Sequence, residues 1–198
     1  MSTLAVNQIT TQTGDTITLP TGKKIVATDS GSIVVPGQIL QVQTSNSSTQ
    51  MAFNVGTPTW TDITGMSVNI TPNTVGNKII VFGLWYYGTP SNPNGGMRCY
   101  RAETSGGGNL AYIGQTGASD GDFIRANAFW SSDDYLPGNY TVQSISFHLE
   151  DTAPSTNQLT YKLQFGSKSV SQQYVNRPQA GPDYGRGTMG ISVMEIAQ

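Results

Sequence analysis

The run Asn77–Gly88 (NKIIVFGLWYYG) constrains the fold more than any other stretch of the chain. Its apolar and aromatic side chains are almost uninterrupted. Read with a period of two, Ile79, Val81, Trp85 and Tyr87 fall on one face, and Ile80, Phe82, Leu84 and Tyr86 on the other. The run is shorter than the roughly 20 residues a membrane helix needs, and its β-branched and aromatic content favours a strand. An antiparallel strand in a lone domain ordinarily keeps one wet face. Two dry faces predict that one packs on the chain's own core and the other on a second copy of the chain.

The segments around it read as further short strands. Gln38–Thr44 places Leu40 and Val42 inward, and Met51–Val55 follows a polar loop. Trp60–Thr71 alternates Met66, Val68 and Ile70 with Ser67, Asn69 and Thr71. Met97–Glu103, Leu110–Gly114 and Phe123–Trp130 come next. Tyr140–Glu150 sets Ile145, Phe147 and Leu149 against Ser144, Ser146 and His148. Gln158–Phe165 sets Leu159, Tyr161, Leu163 and Phe165 against polar neighbours. Thr188–Ala197 closes the chain with two apolar faces again, Met189, Ile191 and Val193 against Met194 and Ile196. The 23 glycines and 10 prolines supply turns, and no segment carries a 3.6-residue stripe. These features predict an all-β fold, a jelly-roll-like β-sandwich knob over residues 36–198. The two strands with two dry faces are expected where subunits meet, with Trp85, Tyr87, Met194 and Ile196 at the interface and closed cyclic symmetry.

Residues 1–35 differ. Aromatic residues are absent, and short apolar pieces (Ile17-Thr-Leu19, Ile25-Val26, Ile33-Val-Val35) sit among Thr, Gly, Asp and Ser. None is large enough for a core of its own. The segment is either a disordered tail or is ordered by sister chains or a larger surface, as a short extended shaft or anchor. Extended at about 3.3 Å per residue it would reach on the order of 100 Å. Pro36-Gly37 marks the boundary with the knob.

Composition excludes several functions. Only 11% of residues are charged, the formal net charge is −2, and basic residues do not cluster. An electrostatic footprint for nucleic acid or for a membrane surface is therefore missing. The N-terminus lacks the basic end and apolar core of a signal peptide, which implies synthesis in a cytosol without export through that route. The single cysteine, Cys99, allows no intrachain disulfide, and the single histidine, His148, allows no His pair within one chain. No metal and no cofactor is expected. The carboxylate pairs Asp120/Asp122, Asp133/Asp134 and Glu150/Asp151 are placed in or beside loops, where acids are common, and predict no hydrolase. The triple glycine Gly106–Gly108 lacks the Lys-Ser/Thr of a phosphate loop. Among Trp60, Trp85, Tyr86, Tyr87, Trp130, Tyr135 and Tyr184, the loop residues Tyr135 and Tyr184, with Asp133, are the candidates for a glycan-binding site. The remaining aromatics are expected in packing.

Three local patterns carry a resemblance. The first is Asp15-Thr-Ile-Thr-Leu-Pro-Thr-Gly-Lys-Lys-Ile25, followed by Val35-Pro-Gly-Gln-Ile-Leu-Gln-Val42. The others are Tyr174-Val-Asn-Arg-Pro178 and Arg186-Gly-Thr-Met-Gly-Ile-Ser-Val-Met-Glu-Ile196. In this order and spacing the chain resembles small fibre and knob proteins of tailed bacteriophages, particularly those of cyanobacterial and other marine hosts. The resemblance implies a homotrimer shaped like the tumour-necrosis-factor type of knob. It implies a virion-surface location, with the N-terminal segment, through Ile17, Leu19, Ile25 and Val34, tied to a major capsid protein or a tail protein. It implies a non-catalytic role, as capsid decoration, cement or head fibre, with adhesion to a host cell-surface glycan open to the loops. The alternative is a receptor-binding short tail fibre with a lectin-like knob. Larger tail fibres have long N-terminal adaptors, and the short segment here favours the head.

Overall fold

The computed structural model describes residues 19–26, 29, 33–54, 59–88, 95–103, 110–114, 126–130, 142–167 and 172–198. Two compact units divide the chain, Met1–Ile33 and Val34–Gln198. In the first, Leu19 and Ile25 are exposed, and Lys23 N donates to Pro20 O in a turn.

The second unit is all-β. Its strands are β1 (Ile39–Ser47), β2 (Met51–Asn54), β3 (Thr59–Ile70), β4 (Lys78–Gly88), β5 (Gly95–Glu103), β6 (Ala111–Tyr112), β7 (Ala128–Trp130), β8 (Val142–Thr152), β9 (Leu159–Ser167), β10 (Gln172–Val175) and β11 (Met189–Ile196). Every pairing is antiparallel. One sheet runs β1–β11–β4–β8, with β10 and β2 continuing it beside the Gly88 end of β4. The other runs β3–β9–β5, with β6 and β7 on the far edge of β5. The partners β1·β11, β3·β9, β4·β8 and β5·β7 are nested in sequence. A long hairpin wrapped into two sheets gives that nesting, which is the jelly-roll arrangement. Among the described residues no helix is long and apolar enough to cross a membrane.

The core lies between the sheets and follows strand parity. From one sheet come Ile79, Val81, Trp85, Tyr87, Met189, Ile191 and Val193; from the other Met66, Val68, Ile70, Met97, Cys99, Leu159, Tyr161, Leu163 and Phe165. Trp85 meets Phe165 edge-on at 6.1 Å between ring centroids, and Tyr87 stacks on the same ring at 6.2 Å. Ile145, Phe147 and Leu149 of β8 face inward, as their alternation predicts, and are half-buried at the sheet edge.

Three details differ from the sequence reading. Trp85 and Tyr87, expected at a subunit interface, are 0% and 1% exposed and fill this chain's own core. Both faces of β4 are apolar as read, but the larger rings sit on the inner one, against Phe165. Val42, expected inward, is 48% exposed. The register of β1 against β11 shifts between Ile39 and Gln41, and a one-residue bulge transfers every later side chain to the opposite face. Strand β10 carries Gln172 and Gln173 and gives no apolar alternation to read, yet Gln173 is fully buried, with its Oε1 3.4 Å from Tyr87 Oη.

Candidate interaction surfaces

The outer faces of the two sheets are opposite in character. On the β1–β11–β4–β8 sheet, cross-strand register sets Val42 beside Met194 and Met194 beside Ile80, and in the next row Ile39 beside Ile196. Phe82 and Leu84 continue the surface along β4. Ile39 and Val42 are about half exposed, and Ile80, Phe82, Leu84, Met194 and Ile196 are partly exposed. The next row across the face sets Thr44 beside Ser192, whose hydroxyls bond at 2.9 Å, Ser192 beside Phe82, and Phe82 beside the exposed His148. Beyond it Lys78 Nζ lies 3.3 Å from Glu150, an exposed pair of small energetic weight.

The outer face of the β3–β9–β5–β6 sheet is polar and internally satisfied. Thr160 Oγ1 donates to Asn69 Oδ1 at 2.8 Å. Asp62 accepts from Gln164 Nε2 (2.7 Å), Lys162 Nζ (3.2 Å) and Tyr100 Oη (3.1 Å). Burial works to raise the Asp62 pKa, but the hydrogen bonds from Gln164 and Lys162 and the Lys162 charge outweigh it and hold it below the usual carboxylate value. Beside this group the Arg98 guanidinium lies 4.2 Å from the Trp60 ring and 4.1 Å from the Tyr112 ring, while Nε donates to Gln164 Oε1 at 2.8 Å. Gly166 makes room for the tryptophan: a Cβ there would lie 2.7 Å from Trp60 Cε3.

A cleft of about 360 Å³ lies at the Gly88 end of the first sheet, lined by Tyr86, Val142, Tyr184, Gly185, Arg186 and Gly187. Tyr184 is 60% exposed and sits in a single 3-10 turn, Pro182–Tyr184. The loop that carries it is closed at its base by Asn176, which is fully buried and adopts φ 57°. Its Nδ2 donates to Gly187 O at 2.9 Å, and its Oδ1 accepts from Gly187 N at 2.8 Å. Asparagine is among the few non-glycine residues found readily in this backbone region. Gln50 Nε2 donates to Pro182 O at 3.0 Å, a second tie.

Two further carboxylates, Asp151 and Glu195, are held by partners inside the fold. Asp151 Oδ2 accepts from Arg101 Nη1 and from Tyr161 Oη (2.8 Å), joining the two sheets across the core. Burial and the Asp151 charge push the Tyr161 phenol well above its usual pKa. Glu195, fully buried at the end of the sandwich, accepts from Asn73 N and Nδ2, Asn77 Nδ2 and Gln41 Nε2, all at 2.7–2.9 Å. Burial acts to raise its pKa, and these four donors, led by Asn77, lower it on balance. The Cys99 thiol is buried and pushed up to about 12, first by burial and then by the Asp151 charge, which leaves it a poor nucleophile at neutral pH. Among the described residues no group of three or more His, Cys, Asp or Glu converges as metal ligands.

The sequence-derived sites thus separate. Met194 and Ile196 lie together on the apolar outer face, and the side chains that join them there are Ile80, Phe82, Ile39 and Val42 rather than Trp85 and Tyr87. Glu150 and Asp151, read as a loop pair, belong to β8 and point to opposite faces. Leu19, Ile25 and Val34 are exposed, and Tyr184 lines the cleft. Ile17, Asp133 and Tyr135 lie outside the described residues. The Arg98 cluster was not read from the sequence. Its one signal was the alternation of Arg98 and Tyr100 on the polar face of β5.

No protein-family model matches the chain, and no curated protein matches it. A solved structure of the infectious bursal disease virus Gx strain aligns with 89% of this chain at 11% identity and a TM-score of 0.38. The alignment covers 42% of that chain, so this chain spans less than half of its neighbour's length.

Proposed function

We propose that this chain is a non-catalytic surface component of a tailed-bacteriophage particle, a homotrimeric knob held to the particle by its N-terminal segment. The observation that carries the self-association is the contrast between the two outer faces. One sheet presents a hydrogen-bonded polar surface suited to water, and the other presents the Val42–Met194–Ile80 row and its apolar neighbours. A lone sandwich gains nothing from the second arrangement, whereas three copies meeting on it bury it from water at about 25 cal/mol per Å² of apolar area. The exposed Leu19, Ile25 and Val34, with Ile17, supply apolar contacts to a capsid or tail protein. The resemblance supplies the virion context. In this reading the protein reinforces the particle by many small contacts multiplied by symmetry.

A second reading rests on the Tyr184 cleft. An exposed tyrosine, an exposed arginine and a loop braced by Asn176 form a small preorganised concavity of the sort that binds sugars, which favours a receptor-binding short tail fibre.

Antibody labelling of intact particles in the electron microscope tests both. Label on the head, lost from particles carrying a chain without residues 1–35, supports an N-terminally anchored head component. Label on the tail supports the fibre, and absence of label from particles refutes the virion assignment.

A further inference from the structure

We infer that the polar outer face of the β3–β9–β5–β6 sheet is a receptor for a carboxylated saccharide, with the Arg98 guanidinium as its anion-binding centre. This site is separate from the Tyr184 cleft and from the apolar face, and it can be tested without the virion assignment.

The cation is fixed but not neutralised. Its plane lies between the Trp60 and Tyr112 rings, and Nε is tied to Gln164. An arginine side chain ordinarily loses rotamer freedom when a ligand orders it; here the protein has already ordered it. The neighbouring acid is engaged elsewhere: Asp62 is bound by Tyr100, Lys162 and Gln164. Among the described residues no carboxylate lies within ion-pair distance of Arg98; Gln164 holds Nε, and the Tyr112 hydroxyl is a further side-chain partner. What remains is a rigid two-nitrogen fork on a half-buried surface, the geometry that pairs bidentately with a planar carboxylate.

The surroundings specify the body of the ligand. Tyr112, beside the fork, is 43% exposed, and Tyr100 meets it edge to face at 6.5 Å. A pyranose ring presents C–H groups on one face and hydroxyls at its rim. The tyrosine surfaces suit the first, and the Asp62 carboxylate, Gln164 amide and Lys162 ammonium suit the second. A neutral sugar would leave the fork empty, and a simple carboxylate would leave the aromatic surface uncovered. A sugar acid uses both.

Titration of the full chain with trigalacturonate, followed by calorimetry or by tryptophan fluorescence from Trp60, tests the inference. The methyl-esterified trisaccharide, neutral galactotriose and glucose 6-phosphate serve as comparison ligands. Saturable binding of trigalacturonate is expected, weakened about tenfold or more by esterification and by Arg98→Lys, which keeps the charge but loses the fork. Tyr112→Ala, at the sheet edge, is expected to weaken binding with the thermal midpoint within a few degrees of the parent's. Equal binding of the ester, or unchanged binding by Arg98→Lys with the fold intact, overturns the carboxylate assignment. Preference for glucose 6-phosphate overturns it in favour of a phosphorylated sugar. No binding by any of the four refutes the site.

Discussion

Removing the Asp151 carboxylate is the perturbation whose cost the fold defines most sharply. Its partner Arg101 and the carboxylate itself have side chains only 9% and 13% exposed, so neither charge is supported by bulk water. Asp151→Ala removes the carboxylate that pairs with Arg101 Nη1 inside the sandwich and takes the acceptor from the Tyr161 hydroxyl, which is fully buried. Breaking a buried pair from one side costs about 3–5 kcal/mol. At about 2–4 °C per kcal/mol for a domain of this size, the thermal midpoint should fall by roughly 6–20 °C at fixed protein concentration. Replacing all three polar groups together, Arg101→Met with Asp151→Leu and Tyr161→Phe, removes the buried cation, its carboxylate and the hydroxyl at once. That variant should lie within about 1–2 kcal/mol of the parent or above it. Thermal and urea unfolding followed by circular dichroism read both. A cost below about 1 kcal/mol for Asp151→Ala, or a triple variant as unstable as the single, would refute the view that desolvated charge dominates this site.

Three further outcomes follow from the same structure. Glu195 has a folded pKa below its unfolded value, so the unfolded chain binds more protons on acidification and stability rises with pH through that window. Stability should hold from neutral pH down to the unfolded carboxylate value of about 4.3 and fall below it, with Asp62 contributing in the same sense; Glu195→Gln should flatten the acid limb in urea titrations at stepped pH. Gly166→Ala places a methyl against the Trp60 ring and should displace it, shifting tryptophan emission and costing about 1–3 kcal/mol; unchanged emission would contradict the close approach. Cys99 should resist a thiol-specific chromogenic reagent at pH 8 in the native protein and react fully in denaturant. Rapid native reaction would mean that the interior opens far more readily than its packing implies.

Local patterns in the sequence carried most of the architecture. Alternation in Leu159–Phe165 and in Met66–Ile70 identified buried faces because one side of each strand is polar. In β4 both sides are apolar, so periodicity could say that two faces are dry without saying which faces inward. The sequence reading assigned Trp85 and Tyr87 to the partner-facing side, whereas they fill the space between the sheets. The bulge at Leu40 reversed Val42, and no residue type there announces it. The Arg98 cluster was illegible for a different reason. Trp60, Arg98, Tyr112 and Gln164 come from four strands, and only the nesting of the jelly roll brings them together.

The central claim is that copies of this chain meet on the outer face built from Val42, Ile80, Phe82, Met194 and Ile196. The mass of the full chain in solution, by sedimentation equilibrium at micromolar concentration, tests it directly. The account predicts three times the 21.1 kDa chain mass, and conversion to the single-chain mass by Met194→Lys with circular dichroism unchanged. A parent that sediments as one chain, or a trimer that Met194→Lys leaves intact, would contradict it.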